Sequence, residues 1–473
     1  MKLKDSPFKI FLLILVVVLL LLPLQWVPAL HICGYEVKRV ALLSDVIDEN
    51  AGGTDSTKGT LPEVPAPPMP LSAENSHAAP DNTDKDEKAA APTPAPKGIT
   101  PILDYATTEA RGMAPFYSAI ERRHSMKRPV RIAYFGDSFI EVDILTAALR
   151  DLLQQKYGGH GVGFLDMAPP YAANRSTVHQ RYGGWTSHCV LDKGRYNRDM
   201  LNIGQRYFTP AGTGWTQISG TKQPRLDTTE VHTIYLRART AAEIGVKLDD
   251  GPMLAMHAKG HGHAEALTRT GRAGKTRWQV PAASGLVCWG VAEESRQGVV
   301  VDNLSLRGSS GTTLAEIPME NLREMHSVRP YDLIVLQFGL NVASKDRTNY
   351  ETYAKQMQKV VEHLKQSFPE AGILLVGVGD RENRMSDGQI HTLPGILALS
   401  RYQQKLAADC GIAFWNLFEA MGGEGSIRRM AEAQPAEAGK DYTHINARGG
   451  KRLANLLFKS LIYGQETYRN NSR

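Results

Sequence analysis

Four apolar runs, each ending in glycine or a polar turn and followed by an amphipathic stretch, constrain this chain most. "VRIAYFG" leads into "DILTAALRDLLQQKYGG", where Leu145, Ala148, Leu149, Leu152 and Leu153 share one helical face and Gly158 supplies a C-cap. "YDLIVLQFG" precedes a helical stretch from Tyr350 to Phe368. "GILLVGVG" precedes one at Ile396–Cys410, and "IAFWNLF" one at Gly449–Tyr463. Short β-branched runs alternating with helices predict an α/β fold with a doubly wound parallel sheet.

The middle of the chain breaks this rhythm. From Val178 to Gly298, "VHTIYLRA", "IGVKLDD", "MLAMHAKG", "TRWQVPA" and "GLVCWGVA" are short runs parted by Gly, Asp or Ser turns. This pattern predicts an inserted all-β, jelly-roll-like domain. Between Ala51 and Lys97 the chain is rich in Pro and Ala and has no aromatic residue. Such a stretch buries too little apolar area to offset ordering entropy, so it reads as a disordered or semi-extended linker spanning about 40 Å. Ahead of it, Lys2, Lys4 and Lys9 flank a nearly unbroken apolar run from Ile10 to Leu30. That run is long enough to cross a bilayer, and no small-x-small exit follows, so it reads as an uncleaved signal anchor. The expected organisation is an anchor over 1–31, a linker over 32–98, an α/β domain over 99–177 and 299–473, and the β insert over 178–298. The folded part is expected in the periplasm or outside the cell.

Composition excludes some classes. The net charge of +6 over 473 residues, with no basic run interleaved with aromatics, gives no footprint for nucleic acid. Four cysteines (33, 189, 288, 410) match no zinc spacing and are too few for a disulfide scaffold, with a Cys189–Cys288 pair left open.

In open α/β sheets, ligands bind outside the carboxyl ends of the strands. Gly136-Asp137-Ser138 follows "VRIAYF", Arg307 and Gly308 follow "VVVDNLSL", and Gly339-Leu340-Asn341 follows "LIVLQF". "DYTHIN", with Asp441 and His444, stands ahead of the last helix. A hydroxyl nucleophile, amide donors for an oxyanion, a base and its orienting carboxylate therefore belong to one sheet edge. Ser138 is expected at the mouth of a helix, with Glu141 and Asp143 as dipole partners in its first turn.

These four blocks, in this order, resemble the SGNH (GDSL) hydrolase superfamily over about Ile132–Gly163 and Val299–Tyr463. "GDSFIEVDILTAALRDLLQQKYGGHGVGFL" is most similar to the branch of periplasmic O-acetylpeptidoglycan esterases, which carries a carbohydrate-binding-type β insert at a similar place. The resemblance implies ester hydrolysis without metal or cofactor. Ser138, Asp441 and His444 would be the triad, and Ser138, Gly308 and Asn341 the oxyanion donors. The implied partner is an acetylated cell-envelope glycan such as peptidoglycan. Phe139 and Val342 depart from the residues usual in that branch, which bears on the substrate more than on the reaction. Two rival readings stay open: an SGNH-type polysaccharide O-acetyltransferase served by a membrane-bound acetyl donor protein, and a catalytically idle glycan-binding scaffold.

Other candidates have blander readings. His257, His261 and His263 in "HAKGHGH" read as solvated turn residues rather than metal ligands. Of Trp185, Trp215, Trp278 and Trp289, at most one or two are expected to face a sugar. Asp380 and Arg381 lie on the active edge, as substrate contacts or as a solvated loop.

Overall fold

The central sheet has six strands in the order Val299–Ser305, Val130–Gly136, Leu333–Gln337, Gly372–Val376, Ala413–Trp415, Leu103–Asp104. The first five pair in parallel and the last is antiparallel. Numbering the parallel strands along the chain gives the order 2-1-3-4-5, a doubly wound arrangement. Val130–Gly136, Leu333–Gln337, Gly372–Val376 and Ala413–Trp415 are buried throughout. Burial on both faces explains why their sequences are continuous apolar runs rather than alternating ones. Helix Thr146–Tyr157 packs with Ala447–Asn471, while Glu351–Ser367 packs on both Met319–Val328 and Pro394–Cys410.

The computed structural model describes residues 57–68, 95–107, 112–283 and 285–471, together with a strand pair at His31–Ile32 and Tyr35–Glu36. The expected membrane anchor and most of the expected linker lie outside the described residues. Among the described residues, no helix is long and apolar enough to cross a membrane. Part of the linker is bonded to the folded part: Thr348 N–H donates to Thr57 O (2.8 Å), and Val64 packs on the core.

The last helix continues to Asn471, past the expected end at Tyr463. Gly464 does not break it, because a Cβ there would collide with Tyr117 Oη, so glycine serves close packing. Beyond it, Arg469 pairs with Glu121 at 2.7 Å.

The middle segment is an antiparallel sheet of nine strands with its own apolar cluster, including Phe208, Ile234, Leu236, Val246, Trp278 and Cys288. The segment is built mainly of strands, and its sheet begins earlier than 178. Strand Gly163–Asp166 pairs with Val287–Glu294. Strands His179–Cys189, Arg206–Ser219 and Ala264–Ala273 were not legible as apolar runs, because they keep long exposed or half-buried stretches.

Buried charges join the two sheets. Arg329, fully buried, donates through Nε and Nη2 to Asp302 (both 2.8 Å) and through Nη1 to Tyr235 Oη (2.8 Å). It also pairs with Glu294 at 3.0 Å, and Arg131 engages the same carboxylate. Burial alone would push the Glu294 carboxyl up, but the Arg131 and Arg329 guanidinium groups outweigh it and hold the group at about 2. Asp302 Oδ1 also accepts from Phe164 N–H (2.8 Å), and Tyr331 Oη donates to Oδ2 (2.7 Å). Arg131 and Asp302 lie on central strands, whereas Phe164, Tyr235 and Glu294 belong to the β insert.

Candidate active site

The 2-1-3 strand order fixes where a site can form. Val130–Gly136 lies between Val299–Ser305 and Leu333–Gln337, where successive connections leave in opposite directions and open a crevice. Ser138 leaves the middle strand, Gly308 follows one neighbour and Asn341 the other.

Several contacts shape the turn that carries Ser138. A Cβ on Gly136 would meet Ile140 Cγ1 at 2.8 Å and Gln337 O at 3.1 Å, so the exit from the strand requires glycine. Phe139 N–H donates to Asp137 Oδ1 (2.9 Å), and Asn303 Nδ2 donates to Ile140 O (2.7 Å). A 3-10 turn, Glu141–Asp143, follows, and the helix begins only at Thr146. Ser138 is therefore not at a helix mouth. Val142 (φ 49°) and Asp143 (φ 68°) adopt the left-handed region, which breaks the helical path. For a β-branched valine this is a strained conformation, sustained only by surrounding contacts.

Asp143 supplies those contacts rather than acting as a dipole partner. Its buried carboxylate accepts from Thr146 Oγ1 (2.7 Å), Arg150 Nη2 (3.1 Å), Arg175 Nε (2.8 Å) and Thr177 Oγ1 (2.5 Å). Burial opposes its ionisation, but Arg150 and Arg175 prevail and hold it far below the usual carboxylate range. Glu141 instead pairs with Arg307, which precedes Gly308.

His444 comes from the loop ahead of the last helix. His444 Nε2 lies 3.2 Å from Ser138 Oγ, and His444 Nδ1 lies 2.6 Å from Asp441 Oδ2. A carboxylate only accepts, so Nδ1 carries the proton and the Nε2 lone pair faces the hydroxyl. Asp441 Oδ1 also accepts the N–H groups of Thr443 and His444 (both 3.2 Å). Burial works against the Asp441 charge, but these bonds outweigh it and hold the carboxyl below its ordinary value. Both side chains stay about half exposed, at 49% for His444 and 51% for Asp441. Glu382 N–H ties the loop down by donating to Tyr442 O (3.1 Å).

Gly308 sits in an exposed turn with φ 78°. A Cβ there would meet nothing within 4 Å, so conformation rather than crowding calls for glycine. Asn341 Nδ2 donates to Asp137 Oδ2 and to Ser309 O (both 3.1 Å). An oxyanion would thus share or replace one of these acceptors. Asp137, 1% exposed, is a site residue that sequence reasoning missed, since its turn role hid its grip on Asn341. Burial pushes its carboxyl up to about 6, against the Phe139 N–H, nearby His444 and the Asn341 amide.

The other candidates fall elsewhere. Asp380 is fully buried and accepts from Thr392 Oγ1 (2.8 Å), Ser426 Oγ (3.2 Å) and Ile427 N–H (3.0 Å), so it braces a loop rather than touching substrate. Arg381 donates to Leu340 O (2.9 Å) and so clasps the Asn341 turn. Trp278 and Trp289 are core residues. Trp215 lies under the Arg277 guanidinium, 4.1 Å from its ring centroid, and Trp185 Nε1 donates to Trp215 O (3.0 Å). His263 Nδ1 meets Glu324 at 2.5 Å, and His261 Nε2 lies 3.9 Å from Glu265. Among the described residues no group of three metal-binding side chains converges. Cys189 and Cys288 are unpaired.

Residues 270–452 match the model of the GDSL-like Lipase/Acylhydrolase family. This span includes the Gly308, Asn341, Asp441 and His444 blocks and starts beyond Ser138. Among solved structures, one titled "Peptidoglycan O-acetylesterase in action, 5 min" superposes at a TM-score of 0.63 and 20% identity, covering 77% of this chain and 99% of that one. The chain has an SGNH/GDSL hydrolase fold. Two further structures are similar at much lower scores and carry no weight here. One is a Bacillus subtilis protein (TM-score 0.30, 12% identity, 65% of this chain and 98% of that one). The other is a family two carbohydrate esterase from Cellvibrio japonicus (TM-score 0.27, 11% identity, 61% and 98%). A comparison with the curated proteins gave no match.

Proposed function

We propose that this SGNH/GDSL chain is a serine esterase that removes O-acetyl groups from a cell-envelope glycan such as peptidoglycan. The observation that carries the reading is the line Ser138 Oγ–His444 Nε2 (3.2 Å) and His444 Nδ1–Asp441 Oδ2 (2.6 Å) at the sheet's switch point. Ser138 Oγ attacks the acetyl carbonyl as His444 Nε2 takes its proton, and Asp441 stabilises the imidazolium. The oxyanion is met by the Ser138 and Gly308 N–H groups and by Asn341 Nδ2–H. His444 then gives the proton to the departing sugar oxygen. Water, deprotonated by His444, releases acetate from the acyl-serine. The glycan assignment draws on the likeness to the peptidoglycan esterase structure, and placement outside the cytoplasm draws on the apolar run Ile10–Leu30.

Half-exposure of His444 and Asp441 favours hydrolysis over transfer, because the acyl-enzyme stands open to water. The test follows acetate release from O-acetylated peptidoglycan with and without a deacetylated glycan acceptor. Equal release in both mixtures, abolished by Ser138→Ala, supports the esterase. Acetylated acceptor formed at the expense of acetate would establish a transferase, and activity retained by Ser138→Ala would remove the nucleophile assignment.

A further inference from the structure

The rim beside Ser138 carries an arginine for which the ester chemistry above has no task. Arg307 immediately precedes Gly308, and its turn is joined to the nucleophile strand by Leu306 N–H donating to Gly136 O (2.9 Å). Glu141, three residues past Ser138, pairs with Arg307 Nη2. On its other side the guanidinium lies over the Tyr171 ring, 4.8 Å from the centroid. The Arg307 side chain is 56% exposed, whereas that of Glu141 is only 11% exposed, and Tyr171 is 41% exposed.

A surface arginine with no partners samples many rotamers, and ordering it loses entropy. Here an almost buried carboxylate and an aromatic face fix the plane of the fork. The guanidinium has five N–H donors, and Glu141 engages one nitrogen. What projects to solvent is a pre-oriented, planar cation next to an oxyanion-donor turn. Such a fork matches a carboxylate by two parallel hydrogen bonds, which a lysine ammonium cannot reproduce. Glu141 offsets much of the charge, so discrimination should act at contact rather than through long-range attraction.

We propose that Arg307, held by Tyr171 and Glu141, is a specificity residue that binds a carboxylate on the glycan beside the acetylated sugar oxygen. The proposal rests on the esterase reading and narrows its substrate class to acidic glycans.

The test uses two O-acetylated methyl glycosides that differ only at C6, a glucoside and a glucuronide, with 4-nitrophenyl acetate as a third ester. The wild-type chain should favour the glucuronide in kcat/KM by about tenfold, as a charge-assisted bidentate pair provides, with the difference residing in KM. Arg307→Gln should bring the ratio close to one. Arg307→Lys should keep only part of it, and Tyr171→Ala should lower it by freeing the fork. A wild-type ratio near one, or one that Arg307→Gln leaves unchanged, overturns the acidic-group site while turnover of the glycosides upholds the esterase. Equal loss on both glycosides in Arg307→Gln also overturns it, since that is the mark of a residue that merely shapes the Gly308 turn. Failure of the wild type to cleave all three esters would overturn the esterase reading and the acidic-group site together.

Discussion

Replacing Asp137 by alanine should separate stability from activity. The carboxylate is 1% exposed and is held by Phe139 N–H and Asn341 Nδ2. Burial places its pKa at about 6 instead of 3.8. The folded state therefore binds this proton more tightly than the unfolded chain. The resulting stabilisation is fully present below about pH 4 and is lost as the pH rises through 6. A change from 3.8 to about 6 corresponds to about 3 kcal/mol. Urea unfolding at intervals from pH 4 to 8 should show the stability of the wild type relative to Asp137→Ala falling by about that amount. Subtracting the variant removes the other titrating groups from the comparison. At pH 8 the variant should unfold near the wild-type midpoint, because the lost hydrogen bonds are offset by relief from a buried charge. Its kcat on 4-nitrophenyl acetate should nevertheless fall about tenfold or more, since a loosened Asn341 is a weakened oxyanion donor. A stability difference that stays flat across this pH range would refute the buried-carboxylate argument. A variant with full kcat would refute the claim that Asp137 holds Asn341.

Other expectations follow from the same geometry. Asp441→Asn should lower kcat by about 10³–10⁴-fold with little change in the thermal transition, because it disturbs the tautomer and charge of a half-exposed histidine. Asp143→Ala leaves Arg150 and Arg175 without their shared carboxylate and should lower stability by about 3–5 kcal/mol in urea at pH 7. Since the folded Asp143 carboxyl is held far below its ordinary value, this stabilisation is present above about pH 4 and is lost on acidification. A fragment spanning residues 178–298 should show no cooperative thermal transition by circular dichroism, because it lacks strand Gly163–Asp166 and every central-sheet partner of Glu294.

The parts of the fold legible in the sequence were those where burial is symmetric. Leu333–Gln337 and Gly372–Val376 are enclosed on both faces, so their composition alone marks them as parallel strands. Ser138, Gly308 and Asn341 were legible because each stands just past such a strand. The start of the helix after Ser138 was not, because the left-handed Val142 and Asp143 depend on Arg175 and Thr177, more than thirty residues away. Long-range partners likewise hid Asp380 and Arg381: "GDREN" reads as a surface loop until helix Ser426–Glu432 and the Asn341 turn are packed against it. The exposed faces of His179–Cys189 concealed a strand whose pairing with Arg206–Ser219 is long but little buried.

The Asp302–Arg329–Glu294–Arg131 cluster determines what kind of partner the β insert can be to the serine. A domain that swings needs a joint whose contacts can be broken and remade in water, yet parting these sheets would strand four charges that now neutralise one another away from solvent. The insert is in effect fixed to the central sheet rather than a moving arm. Any polymer lying along both surfaces would meet a spacing set once, at folding. For the glycan substrate proposed above, the repeating sugars would then be read by register, with the ester presented to Ser138 by sliding rather than by closure.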